Sequence, residues 1–286
     1  MKFSRPLTCL GAVLVCLVSA LPAVAQRGEG KLDSSQPTGI SVEQVIQNFA
    51  AKEKQFKIAR EQYTYRQDVL VQTLEGDTVD GEFRQVVDVL FDDQGRRIES
   101  VQFAPQSSLQ RITMTREDFD DIQHRLPFVL TSDEINEYSI LYVGRQREDE
   151  LGTYVFDIAP KQMEKNKRYF QGRIWVDDHD FQIVKTYGKN VPDIGVGKKH
   201  GGGENLFPNF TTWRQQIDDK YWFPVYTKVD DVLHFASGDV HVRQIVKYTN
   251  YKRFGSKVKI TYEGQEVSKE PQTGTQQKTQ PQAPPK

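Results

Sequence analysis

"YFQGRIWVDDHDFQIVKTYG", residues 169–188, sets an acidic cluster with one histidine, Asp177-Asp178-His179-Asp180, between two apolar runs. Carboxylates and imidazole are metal-ligand types, but the flanks point elsewhere. Ile174, Trp175 and Val176 before the cluster, and Phe181, Ile183 and Val184 after it, are the β-branched and aromatic types that favour strands. Aspartate suits turn tips because its side chain bonds nearby backbone and tolerates left-handed dihedrals. The stretch therefore reads as a β-hairpin with the cluster at its tip, and no metal is assigned to it.

Outward from this hairpin the same pattern repeats. Tyr63, Tyr65, Val69 and Val71 alternate with Thr64, Arg66 and Asp68; "EGD" at 75–77 turns the chain back; Phe83, Val87, Val89 and Phe91 continue on the return strand. "DDQGR" at 92–96 is a further turn signal. Strand-like runs follow at 98–103, 138–144, 153–159, 169–177, 181–187, 210–217, 223–233, 240–251 and 257–262. Two segments keep helical spacing instead. Val42, Val45, Ile46, Phe49 and Phe56 line one face after a capping-box pair, Ser41 and Gln44, with Glu43 and Glu53 assigned to the polar face. Thr115 caps a shorter run through Phe119, Ile122 and Leu126, which Pro127 ends. The expected fold class is α+β, a strongly curved antiparallel sheet with helices over one face.

The first 25 residues pair a basic start, Lys2 and Arg5, with an apolar run from Leu7 to Leu21 and an Ala23-x-Ala25 cleavage pattern. That is the layout of a cleavable secretory signal, so the mature chain is expected to be exported with no transmembrane anchor. Both cysteines, Cys9 and Cys16, fall inside it, which leaves no thiol for a disulfide, a zinc site or nucleophilic catalysis. Removing the signal takes two basic residues from the 38 and none of the 39 acidic ones, giving 36 against 39 and a net charge of −3. Near-neutral balance excludes a nucleic-acid surface. Residues 26–40 read as a flexible lead-in, 41–262 as one domain, and 263–286, rich in Gln, Pro, Thr and Lys, as a disordered tail.

The signal, the helix leading into "QYTYRQDVLVQTL", the hairpin "GRIWVDDHDFQIVK" and "FTTWRQQIDDKYWFPVYTKV" at 210–229 together resemble the LolA-like outer-membrane lipoprotein-sorting proteins. The lipid-binding-like domain of the stress sensor RseB is related to them. The resemblance implies a half-open β-barrel, covered by helices, enclosing an apolar cavity for acyl chains in the periplasm. It implies no catalysis and no cofactor. Cavity residues under that reading are Tyr63, Tyr65, Val69, Phe83, Val87, Val89, Phe91, Trp175 and Trp213. An envelope protein is the alternative partner, as for an RseB-like sensor or scaffold. The sequence departs from the resemblance in a long Gly-rich loop, 188–209.

Enzyme readings of that loop fail on spacing. A phosphate loop needs G-x-x-x-x-G-K-[ST], whereas Pro192 stands at the first glycine and Lys199 at the hydroxyl position. His200-Gly201-Gly202-Gly203 resembles a lipase oxyanion segment, but the mature chain has no G-x-S-x-G elbow to serve it. No histidine pair has the helical i, i+4 spacing of a zincin, though His234 and His241 could face each other across "ASGD". The acidic pairs Asp92-Asp93, Asp218-Asp219 and Asp230-Asp231 point to opposite faces if they lie on strands, so they read as turns or solvent edges.

Overall fold

The computed structural model describes residues 29–254, except 93, 128, 165–166 and 193–206. The signal, most of the Gly-rich loop, the run at 257–262 and the tail lie outside the described residues.

Helix α1, Val42–Arg60, starts where the sequence places it: the Ser41 hydroxyl accepts from Gln44 N and the Gln44 side chain accepts from Ser41 N. These bonds satisfy two of the donors a helix start leaves open. Among the described residues ten strands follow, β1 Tyr63–Glu75, β2 Thr78–Phe91, β3 Arg97–Phe103, β4 Tyr138–Glu148, β5 Leu151–Pro160, β6 Tyr169–Asp177, β7 Ile183–Val191, β8 Phe210–Ile217, β9 Tyr221–Phe235 and β10 Gly238–Arg253. They form one sheet in the order β3-β2-β1-β10-β9-β8-β7-β6-β5-β4. Every adjacent pair is antiparallel. The first and last strands pair in the middle, and among the described residues β3 and β4 stand at the two ends of the sheet without pairing with each other, so the barrel is half open.

Ten strands laid flat at about 4.8 Å spacing would separate these edges by roughly 43 Å. Yet a single core joins Val87 and Val89 of β2 to Phe156 and Ile158 of β5, with Val45 and Phe49 of α1 between them. The Phe49 and Phe156 rings lie 5.6 Å apart. Only a strongly curved sheet wrapped around the helix brings these groups together. The backbones approach closely at β6–β7, where Gly172 faces Gly188; a Cβ on Gly172 would sit 2.1 Å from the Tyr187 carbonyl. Glycine is required there because a second backbone occupies the side-chain position.

Between β3 and β4 the chain forms the rest of the cover. α2, Arg116–Asp120, opens on a second capping box, Thr115 with Asp118. It runs directly into a wider π-helical turn, Asp121–Arg125, in which Leu126 N donates to the Asp121 carbonyl. The continuous helix expected to Leu126 is thus an α-helical turn followed by a π-helical one. Ile122, Leu126 and Leu130 drop into the core, and Phe119 meets Phe83 of β2 edge-on. The fold is α+β, with an N-terminal helix and a short helical insertion covering the concave face.

Residues 29–35, read from composition as part of a flexible lead-in, pair with the β4 edge. Gly30 N and Asp33 N donate to the Arg147 and Arg145 carbonyls, and Arg145 N donates back to Asp33 O. This covers the lower half of an edge that would otherwise present unpaired backbone groups.

Candidate functional site

The nine residues assigned to a cavity divide between the two faces of the sheet. Tyr65, Val69, Val87 and Val89 are buried in the concave core, with Phe83 and Phe91 packed against it. Tyr63 is also on the inner side, against Phe56 and Phe223, and its hydroxyl donates to Asp218 at 2.7 Å. Burial, and secondarily Asp218, push the Tyr63 phenol up to about 12. Trp175 and Trp213 are elsewhere. Ile174 and Val176 face the concave core, so strand alternation turns Trp175 outward, where it packs with Val155 and Val184.

The concave surface is apolar from β2 to β5, and α1 with the insertion fills it. What holds α1 down includes a group that helical patterning misplaced. Glu43 is exposed as expected, but Glu53 is wholly buried, four residues after Phe49 and three before Phe56. Its carboxylate accepts from both terminal nitrogens of Arg214 on β8, at 2.7 and 3.2 Å. Both side chains are essentially inaccessible, and the Arg214 guanidinium also lies over the Phe56 ring. Desolvation pushes the Glu53 carboxyl above its ordinary value, opposed by the charge and hydrogen bonds of Arg214. The cover is thus fixed by an apolar face plus one buried ion pair that is expensive to separate.

Space remains at the rim of the cover. One cleft of about 240 Å³ lies between the end of α1, the insertion and β6, and another of about 270 Å³ between α1, the β2–β3 turn and β10. A void of about 50 Å³ sits beneath the insertion beside Phe207 and Phe210. Each is smaller than the ~300–1,000 Å³ typical of ligand pockets.

A larger concavity, about 950 Å³, is a groove on the convex face floored by Trp175, Trp213, Tyr187 and Leu141. Lys185 is buried at its base, 4.6 Å from the Trp175 ring centroid, and pairs with Glu148 at 2.9 Å and with Glu29 of the N-terminal segment. Arg173 and Asp157 pair beside it. Leu141 and Tyr187 are exposed, so a chain laid here would keep one side in water.

The hairpin cluster is held by turn bonds. Asp177 Oδ2 accepts from His179 N and Asp180 N; Asp178 accepts from Arg145 of β4; Asp180 accepts from the Trp222 indole. Ligand atoms of Asp177, Asp178 and His179 converge within 4.8 Å, but Asp177 and Asp178 are engaged by the protein itself. Burial raises the Asp177 carboxyl, with Asp180 adding to the rise. Asp177→Ala should destabilise the fold by about 1–2 kcal/mol, since two turn N–H groups lose their acceptor, and EDTA should leave the parent's melting temperature unchanged. A drop of several degrees with EDTA would restore the metal reading.

The histidines take separate partners: His234 bonds Asp239 at 2.8 Å and His241 bonds Asp230 at 2.7 Å. In the β9–β10 register His241 stands opposite Val232, so the two imidazoles do not face each other. Asp218 and Asp219 form the left-handed turn between β8 and β9, as turn chemistry predicts. Asp230 and Asp231 take partners on different sides, His241 and Asn209. None of the sequence-flagged acidic pairs with both members described forms a two-carboxylate site.

An open half-barrel covered by helices is the class of protein that the fold defines. No family model matches the chain, and no curated protein matches it. Among solved structures it is similar to a LolA superfamily protein from Nitrosomonas europaea, 14% identical, over 72% of this chain and 94% of that one, with a TM-score of 0.32. It is also similar to a DUF1329 family protein from Desulfovibrio piger, 12% identical over 73% and 95%, TM-score 0.35. The MucA/MucB complex of Pseudomonas aeruginosa is 9% identical over 71% and 98%, TM-score 0.19. These likenesses are too distant to bear on ligand or partner.

Proposed function

We propose that this chain is a non-catalytic envelope protein, exported by its signal, that binds an acyl chain or similar lipid-like ligand against the concave face when the helical cover shifts. The observation that supports it best is the apolar inner surface from β2 to β5, closed off by one helix and a short insertion rather than by a second sheet. Burying a chain there contributes about 0.8 kcal/mol per methylene, which offsets displacing the cover. The rim clefts are where a chain would enter. The convex groove is a poorer host, because its floor carries the Lys185 and Arg173 ion pairs and its walls stay wet. Lipoprotein acyl chains are the cargo this reading favours. Native mass spectrometry of protein recovered from a periplasmic extract tests it: a co-purifying lipid-sized mass supports carriage, and an empty protein that takes up no acyl probe contradicts it.

A second reading, a scaffold that docks another envelope protein, draws on the β3 edge. No described strand pairs with its outer side, and Ile98, Val101 and Phe103 are exposed. Such an edge accepts a partner strand. A stable protein partner with an empty interior would favour it over carriage.

A further inference from the structure

Arg60, the last residue of α1, lines both rim clefts. Basic residues are common in the last helical turn, where they complement the dipole, and Lys57 one turn earlier needs no other explanation. Arg60 differs in its surroundings. Every other described Lys or Arg that lines the clefts has a carboxylate: Lys57 has Glu134 at 3.6 Å, Arg96 has Asp92 at 2.6 Å, Arg97 has Glu99 at 2.7 Å, Lys167 has Glu137 at 2.6 Å and Arg168 has Asp121 at 2.6 Å. Among the described residues Arg60 has no ion-pair partner, and its Nε is buried without a hydrogen-bond acceptor. Glu61 and Tyr65 act on it only through space, and desolvation holds its ionisation below the ordinary arginine value. Part of the side chain remains accessible, and it lines both clefts.

A guanidinium stays charged in a protein, so it cannot escape an unfavourable site by losing a proton. Leaving it enclosed without an anion is costly, and its planar fork matches the two oxygens of a carboxylate or phosphate. We infer that Arg60 is the anchor of an oxyanion-binding site at the rim of the half-barrel, one that takes the carboxylate or phosphate of a ligand entering between α1 and the insertion. His124 also borders both clefts, bonded to Asp120 at 3.2 Å, and so flanks the entry. The charged group is thereby held at the mouth, and any apolar part of the same ligand points toward the core. The site does not depend on the acyl reading, because an inorganic oxyanion is enough to occupy it.

The test uses the full mature chain in oxyanion-free buffer, titrated separately with inorganic phosphate, decanoate and decanol by calorimetry, with melting curves at each step. Phosphate, decanoate or both should bind, and Arg60→Gln should weaken that binding at least tenfold while leaving any decanol binding unchanged. Arg60→Lys, which keeps the charge but not the fork, should lose less. Without anion, Arg60→Gln should melt at the parent's temperature or higher, since it removes an uncompensated charge. Binding of phosphate alone assigns the site to free phosphate, and binding of decanoate but not decanol assigns it to an amphiphile's head group; both support the inference. It is overturned if neither anion binds the parent, if the anions bind Arg60→Gln as tightly, or if Arg60→Gln melts well below the parent, which would make Arg60 a structural residue.

Discussion

Glu53→Ala should lower the free energy of unfolding by about 3–5 kcal/mol, the cost of leaving one member of a buried ion pair without the other. The partner left behind is Arg214, whose side chain is 1% exposed and cannot shed its charge. The loss is large against the ~5–15 kcal/mol that holds a typical domain folded. Replacing both members, Glu53→Leu with Arg214→Met, should restore most of it, because apolar groups of similar volume pack in such places without a desolvation penalty. Urea denaturation of the single and double variants measures the difference. Equal stability of Glu53→Ala and parent would mean that the pair does not fix α1 to the sheet, and the cover would then rest on apolar contacts alone.

The second large effect belongs to β2. Val87 is 2% exposed in the concave core, whereas Arg84 points outward and pairs with Asp68 across β1. Val87→Glu places a carboxylate among apolar side chains with no partner, which should cost several kcal/mol and depress acyl-probe binding in whatever fraction remains folded. Arg84→Glu should have a small effect, because exposed pairs contribute little; it does set a carboxylate beside Asp68, so a slight loss is expected rather than none. Val87→Thr, nearly isosteric and uncharged, separates folding from binding: it should stay folded and bind more weakly than the parent. Melting curves come first for each variant. A folded Val87→Thr with unchanged probe affinity would remove β2 from the ligand surface.

The fold was readable because its elements carry local signals. Ser41 with Gln44 marks the start of α1 in the sequence and in the structure, since a capping box acts within one turn. The acidic hairpin tip is a turn for the same local reason. Glu53 reads as polar in sequence because its charge outweighs its spacing: counted by position alone it falls between Phe49 and Phe56 on the apolar stripe, but its partner Arg214 is 161 residues away. By residue type Trp175 and Trp213 fall with the β1–β2 aromatics, although alternation with Ile174 and Val176 places Trp175 on the opposite face. Arg60 cannot be told from Lys57 in sequence, because both suit a helix end; what sets it apart is that no described carboxylate forms an ion pair with it in three dimensions. The pairing of residues 29–35 with β4 depends on which strand becomes the sheet edge, a property of topology that local composition does not carry.

The central claim is that a lipid-like chain lies on the concave face beneath α1 and the insertion. A fatty acid bearing a photoreactive diazirine near the end of its chain, bound to the mature protein, irradiated and mapped by peptide mass spectrometry, tests it most directly. The predicted result is adducts on inner-face residues such as Val69, Val87, Val89 and Phe91, competed away by unlabelled fatty acid. Adducts confined to Trp175, Tyr187 and Trp213 would put the ligand in the convex groove and contradict the account.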